Sequence, residues 1–391
     1  MKLALADMAH MVGAPIHTQR VLRVVPDPEP ELEVLPQSNT VRPDTFDDII
    51  GQEEAKLQIL AVLIAAERRG SPAYPHVLLD GPSGVGKTTF AKAVANRRGT
   101  KCHVTAPNAL RQPWDAACLL AEVNAGDVVF IDEIHGLSKR TMEALYPVLE
   151  GDPMPISTGT GAKRKVSEMR VPPFTLIGGT TSTGGLTEPF RNRFALDVTL
   201  RRYTDDEVSR IIRRAADARG ILITADGADR LALLARGTAR VAVNELLTKA
   251  EAIALSMAQA GTEGQYEPSP IDPDVVANMM RAYDIDELGL KAKERAMLRA
   301  LCIDMAGGPI GIKKLASAAG FDTKTADEVE EWMTRCRLMW YSGDGRKATV
   351  LGYKHLSDTD PDGRSYRPTA QVVAWSRQIG ATDDRWLAGL R

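Results

Sequence analysis

Residues 81–88 read Gly81-Pro82-Ser83-Gly84-Val85-Gly86-Lys87-Thr88, and this stretch limits the possible folds more tightly than any other in the chain. It follows His76-Val77-Leu78-Leu79-Asp80, an apolar run suited to a buried parallel strand. It precedes Thr89-Phe90-Ala91-Lys92-Ala93-Val94-Ala95, which has helical composition. Strand, glycine loop and helix is the context in which this pattern becomes a phosphate-binding P-loop. The glycines let consecutive backbone N–H groups turn toward one phosphate, and the helix N-terminus adds its positive dipole end. Lys87 is placed to reach the β- and γ-phosphates, and Thr88 to offer a hydroxyl to Mg²⁺. The expected phosphate-binding set is therefore Gly81, Gly84, Val85, Gly86, Lys87, Thr88 and Thr89. An α/β fold on a parallel sheet follows from the motif.

A second motif completes the chemistry. Val128-Val129-Phe130-Ile131 is an apolar run that ends in Asp132-Glu133. A strand buried on both faces delivers its last residues to the carboxyl edge of the sheet, the edge that also carries the P-loop. Asp132 is expected near the Mg²⁺, and Glu133 as the general base that orients and deprotonates water. Two adjacent acids could close a solvated strand, but downstream of a P-loop they point to hydrolysis. Either ATP or GTP would suit these residues.

At 391 residues the chain is long enough for about two to four domains. Its charged fraction of 26% and hydrophobic fraction of 44% describe a soluble globular protein. A net charge of −2 leaves any nucleic-acid contact to a local patch. Cys102, Cys118, Cys302 and Cys336 show no C-x-x-C spacing, so reduced thiols are the expectation. The start of the chain breaks at Asp7, too early for a secretory apolar region, and no apolar run approaches a membrane span. A cytoplasmic protein with no membrane partner is expected.

Pro26, Pro28, Pro30 and Pro36 lie among acids in a flexible or extended arm. Strands then alternate with helices to about Leu200. A helical block opens at Thr204-Asp205-Asp206-Glu207, a capping box. Beyond Leu288, three short helices precede Leu338-Met339-Trp340-Tyr341, a Gly-containing turn and Arg346-Lys347-Ala348-Thr349-Val350, the outline of a winged helix.

With these motifs in sequence, the chain resembles the RuvB family of AAA+ motors that drive Holliday-junction branch migration. The matching words include Ile50-Gly51-Gln52-Glu53, the P-loop, Asp132-Glu133-Ile134-His135, Thr180-Thr181 and Pro189-Phe190-Arg191-Asn192-Arg193-Phe194. They continue with Arg236-Gly237-Thr238-Ala239-Arg240, Gly307-Gly308-Pro309-Ile310-Gly311 and Gly345-Arg346-Lys347-Ala348-Thr349. The resemblance implies an AAA+ ATPase domain at 41–201, a helical lid at 202–284 and a winged-helix domain at 285–358. An arm (1–40) and a tail (359–391) flank them. It also implies ATP as the nucleotide, duplex or branched DNA as the substrate, and a homo-hexameric ring.

The resemblance further implies roles for single residues. Thr181 is the expected sensor of the γ-phosphate, with Thr180 as fallback. Arg193 is the expected arginine finger, acting on a neighbouring copy, and Arg191 is its rival. Arg240 would couple the lid to nucleotide, and Ile50 (with Ile49) and Tyr203 would flank the adenine. In the wing, Arg346 and Lys347 are expected to touch DNA phosphates. Asp327, Glu328, Glu330 and Glu331 on the third helix argue against base reading by that helix. The family carries a hairpin that docks on its partner RuvA through apolar side chains. Here residues 152–171 hold few apolar residues and two prolines in the first strand, so a RuvA-like partner is in question. A rival reading is an ATP-switched loader of a helicase or clamp.

Overall fold

The computed structural model describes residues 43–158, 165–257, 259–260, 266–267 and 269–390. The expected arm (1–40) and the tip of the 152–171 hairpin lie outside the described residues. Helix α1 (Glu53–Arg68) leads to β1 (Val77–Asp80), the glycine loop and α2 (Lys87–Arg98). Then come β2 (Cys102–Thr105), α3 (Pro113–Ala121), β3 (Val128–Ile131) and α4 (Lys139–Leu149). A hairpin of β4 (Met154–Thr158) and β5 (Lys165–Met169) precedes β6 (Thr175–Thr180), α5 (Glu188–Arg191) and β7 (Leu196–Thr199).

Five of these strands form one parallel sheet in the order β2-β3-β6-β1-β7. All four residues of β3 and all six of β6 are buried, as central strands of a parallel sheet covered on both faces should be. Because β6 lies between β1 and β3, its last residues stand between the P-loop and Asp132. Asp80 is in register with Thr180. That order cannot be read from the chain, since β6 follows β3 by more than forty residues.

Helix α6 (Asp205–Arg219) starts on the expected capping box: Thr204 Oγ1 accepts from Glu207 N at 3.3 Å, and Thr204 N donates to Glu207 Oε2 at 2.8 Å. It ends at Gly220, whose φ of +68° suits a left-handed cap. Helix α7 (Ala225–Leu234), a π-helical turn at Val241–Leu247 continuous with α8 (Thr248–Ser256), the two-residue strands β8 (Gln259–Ala260) and β9 (Tyr266–Glu267), and α9 (Pro273–Ala282) complete the lid. Its core is continuous with one face of the sheet: Phe46, Ile49, Val85 and Tyr203 cluster with Leu231, Leu246 and Met279.

The winged helix has a core of its own. Helices α10 (Ala292–Arg299), α11 (Ile312–Ala319) and α12 (Thr323–Arg335) are followed by the wing strands β10 (Met339–Ser342) and β11 (Gly345–Ala348) and by α13 (Val350–Asp358). The tail, for which the sequence suggested no motif, forms α14 (Ala370–Gln378) and α15 (Asp384–Gly389). It packs into the winged-helix core through Val372, Tyr366 and Trp386, and Ser376 Oγ accepts from Val350 N at 3.0 Å. Among the described residues, no helix is long and apolar enough to cross a membrane.

Candidate nucleotide and nucleic-acid sites

The glycine loop has the geometry that the motif demands. Gly81, Gly84 and Gly86 have φ of +149°, +78° and +107°, backbone conformations that side chains with a Cβ rarely adopt. At Gly84 space is also decisive, because a Cβ there would lie 2.7 Å from Thr238 Cγ2. Lys87 opens α2 and is only 6% exposed. Its ammonium donates to Gly81 O at 2.6 Å and Pro82 O at 3.0 Å, which holds it over the loop. Burial lowers its pKa, opposed by the carboxylates of Glu133, Asp132 and Asp80. Thr88 and Thr89 follow within the first turn of α2 and are half-buried.

Asp132 leaves the buried end of β3, its N–H donating to Thr105 O at 2.9 Å. Glu133 has a left-handed φ of +51°, an unusual backbone for a non-glycine residue and one often found at functional sites. Its Oε2 accepts from Thr181 Oγ1 at 2.9 Å and lies 3.3 Å from His135 Nδ1. Thr180 is buried, and its hydroxyl donates to Ser182 O at 2.7 Å and accepts from Ser182 N at 3.0 Å. With that proton committed, His135 Nδ1, at 2.9 Å, is the donor to Thr180 Oγ1. Thr181, by contrast, is exposed and faces Glu133. The two neighbouring threonines thus have separate tasks: Thr180 braces the strand end and Thr181 touches the acid.

A P-loop site takes Mg²⁺ through one or two protein oxygens, with substrate phosphates completing the shell. The hydroxyl of Thr88 and the carboxylate of Asp132 are oxygens of that kind. A glycine cradle, an ammonium already turned onto its carbonyls and two such oxygens fit a nucleotide with its metal.

The lid reaches the same loop. Tyr203 OH donates to Val85 O at 2.8 Å, and burial pushes its pKa up to about 12. Arg240 N donates to Gly84 O at 3.3 Å, and Arg240 Nη1 to Ser83 Oγ at 3.2 Å. Of the two expected adenine neighbours beside Tyr203, Ile49 is only 4% exposed within the shared core, whereas Ile50 is half-buried.

Arg193 faces elsewhere. Its guanidinium lies 4.2 Å from the centre of the Tyr146 ring, pairs with Glu150 at 2.8 Å and donates to Pro189 O. None of these partners belongs to the phosphate loop. Arg191 pairs with Asp197.

In the wing, Arg346 and Lys347 are not bare charges on a solvated turn. Arg346 Nε lies 3.0 Å from both oxygens of Glu330, on α12. Lys347 pairs with Asp344 at 3.1 Å and sits 5.7 Å from the Trp375 ring of the tail. Trp340 and Tyr341 beside them are 39% and 55% exposed. Glu331, the next acid on α12, pairs with Arg202. Two of the four acids on this helix are therefore internal partners.

Residues 41–200 match the family model of the Holliday junction DNA helicase RuvB P-loop domain, and residues 287–357 that of the RuvB C-terminal winged helix domain. A relative from Synechocystis sp., named Holliday junction branch migration complex subunit RuvB, is 38% identical over 85% of this chain and 89% of its own length. The chain belongs to the RuvB family. The RuvB of Trichormus variabilis is 36% identical over 83% of this chain and 86% of that protein. Among solved structures, the Thermotoga maritima RuvB Holliday junction branch migration motor is 34% identical, with a TM-score of 0.70, covering 81% of this chain and 98% of that one. The winged helix is the RuvB type, and the tail lies beyond residue 357, where the winged-helix family model ends.

Sequence reasoning on this RuvB-family chain missed four neighbours of the site. Gln52, only 2% exposed, pairs its side-chain amide with the backbone of Arg201, donating at 2.6 Å and accepting at 3.1 Å. His135 braces Thr180, Thr238 fills the space above Gly84, and Arg202 donates to Thr238 Oγ1 at 3.0 Å. Gln52, His135 and Thr238 all lie within the RuvB-like words, but nothing local in the sequence assigns them a contact.

Proposed function

We propose that the chain is an ATP-driven translocase that acts on duplex or branched DNA and promotes Holliday-junction branch migration as a homo-hexameric ring. The observation that carries this reading is a complete P-loop site joined to a winged helix in one chain, in the order of relatives named for that complex. The proposed working parts are residues 41–201 for nucleotide, 202–284 as lid and 285–358 for DNA.

In this reading the backbone of 81–86 with Thr89 cradles the phosphates of ATP, and Lys87 offsets their charge. Thr88 and Asp132 would hold Mg²⁺, which when bound neutralises charge on the phosphate oxygens. Glu133 takes the proton of the attacking water. Thr181, already bonded to Glu133, positions that acid and reports the γ-phosphate. Ile50 and Tyr203 flank the base, and Arg240 carries loop position to the lid. Arg193 serves a neighbour's site: its partners Tyr146, Glu150 and Pro189 all lie away from its own loop. Arg346 and Lys347 exchange Glu330 and Asp344 for phosphates, giving sequence-independent contact.

The test is ATP-dependent dissociation of a synthetic four-way junction. Arg193→Ala should lose roughly 10³–10⁵ of turnover, the usual worth of an arginine finger. Mixing it with Lys87→Ala should recover activity, because mixed rings pair a good loop with a good finger. Mixed rings that form but stay inactive would point to action within one chain, or to Arg191. Hydrolysis limited to one round and dependent on a protein partner would replace the motor by a loader.

The same assay addresses the partner. Met154 is 1% exposed, and Ile156, Met169 and Val171 pack against the sheet core, so these four apolar residues turn inward. An interface anchor needs apolar side chains facing out. A bacterial RuvA should therefore stimulate little. Tight RuvA binding that Ile156→Asp abolishes would overturn that expectation.

A further inference from the structure

We propose that Arg202 is a positioning residue that couples the state of the phosphate loop to the winged helix. The proposal rests on the motor reading, since it names how the two sites of that motor communicate.

Arg201, Arg202 and Tyr203 follow β7 and point in three directions. Arg201 pairs its backbone with Gln52, Tyr203 holds Val85 O in the phosphate loop, and Arg202 crosses to α12. Arg202 Nε donates to Glu331 Oε1 at 2.8 Å and Nη2 to Oε2 at 2.7 Å. This two-pronged geometry fixes direction as well as distance. The remaining nitrogen, Nη1, donates to Thr238 Oγ1 at 3.0 Å. Thr238 is the residue that would meet a Cβ at Gly84, two positions before the Arg240 that bonds Gly84 O. One guanidinium thus spans the residue that covers the phosphate loop and the third helix of the winged helix.

The link continues to the wing. Glu330, next to Glu331, lies about 100° further round α12 and holds Arg346 of β11. A displacement of the loop and Thr238 therefore has a continuous polar route: Arg202, Glu331, α12, Glu330, Arg346. A second strut runs beside it. Arg236, in a left-handed conformation with φ of +57°, pairs with Glu294 of α10 and lies 5.8 Å from the Trp332 ring. The Arg202 side chain is 16% exposed and that of Glu331 47%. A pair this wet adds little to stability, so its two-pronged geometry matters more for position than for holding the fold together. Stabilisation alone does not require an arginine that also grips Thr238.

The experiment compares Arg202→Ala, Glu331→Ala, the double variant and the swap Arg202→Glu with Glu331→Arg, with Glu328→Ala as a control on the exposed face of the same helix. Steady-state ATPase is read with and without a blunt duplex. Emission from Trp332 is read on adding ATP, its share identified with Trp332→Phe. Arg202→Ala and Glu331→Ala should each reduce duplex stimulation at least about fivefold, the low end of ordinary coupling between sites. Basal ATPase, ATP KM and melting temperature should stay unchanged. The double variant should be no worse than either single one, and the swap should restore stimulation in part. Nucleotide should no longer change Trp332 emission in Arg202→Ala. Unchanged stimulation and emission in Arg202→Ala overturn the proposal, as does a fall in basal ATPase or ATP affinity, which would assign Arg202 to the nucleotide site itself. A wild-type ATPase indifferent to duplex, with an ATP-induced Trp332 change that Arg202→Ala abolishes, sinks the motor reading and leaves the coupling standing. No ATP-induced change at Trp332 in the wild type sinks the coupling.

Discussion

Along the seam between nucleotide domain and lid, Phe46, Ile49 and Val85 share one continuous core with Tyr203, Leu231, Leu246 and Met279. Between lid and winged helix the two apolar cores are separate, and ion pairs bridge them: Arg202 with Glu331, Arg236 with Glu294 and Arg230 with Glu287. The difference has mechanical consequences. Apolar packing is close and resists displacement, so the first seam moves the lid and the phosphate loop together. Ion pairs can break and re-form in water with little net change, so the second seam can hold more than one arrangement of the winged helix. A motor needs both kinds of joint, one to register the nucleotide and one to swing.

The largest expected effect lies on the rigid side. Glu133→Gln should cut turnover by about 10²–10⁴, the usual contribution of a general base, while ATP binding survives. Loss of binding equal to that of Lys87→Ala would mean that Glu133 shapes the site rather than activating water. Next comes the apolar seam itself. Leu231 is fully buried in the shared core, and Leu231→Ala should cost about 2–5 kcal/mol. Denaturant melts should show the nucleotide domain and the lid unfolding together; separate transitions would break the comparison.

The ionic seam should be weaker. Arg236→Ala leaves Glu294, half-buried at 14% exposure, with only the Lys291 backbone N–H at 2.8 Å among the described residues, and should cost roughly 1–3 kcal/mol. The loss should fall on the winged helix alone, seen as faster hydrogen exchange in α10 with ATP affinity unchanged. High salt should reproduce part of that loosening in the wild type and leave the apolar seam intact. Spread of the effect into α7 would show that the seams are not independent. The smallest effect is at the wing. Arg346→Ala with Lys347→Ala should lower duplex affinity alike for unrelated sequences and reduce the log–log salt slope by about 0.9 per lost phosphate contact. A loss confined to one sequence would mean that the winged helix reads bases.

Much of the candidate site was legible because its parts are local. The P-loop is eight consecutive residues, so its glycine turn and the place of its lysine follow from spacing along one loop, and Asp132 and Glu133 end a run whose burial follows from its composition. The capping box at Thr204 is likewise a four-residue pattern with a short-range cause. Position along a single strand or turn sets these contacts, so residue type and spacing suffice.

What needed the tertiary structure is the pairing of distant segments. The order β3-β6-β1 places Thr181 against Glu133, 48 residues away, and frees it for the site while Thr180 is used up in bracing the turn. The acids of α12 read in sequence only as a helix that phosphates would repel. In the fold Glu330 holds the wing and Glu331 reaches Arg202, 129 residues earlier. Arg346 reads as a free charge because its partner Glu330, 16 residues earlier, is set by packing, whereas Asp344 meets Lys347 from three residues away in the same turn. The hairpin's thin apolar content was visible, but the inward direction of Met154, Ile156 and Met169 was not, since facing depends on strand register against the body. Local sequence dictates backbone shape and chemical identity; which carboxylate meets which guanidinium is settled only when separate elements are packed against one another.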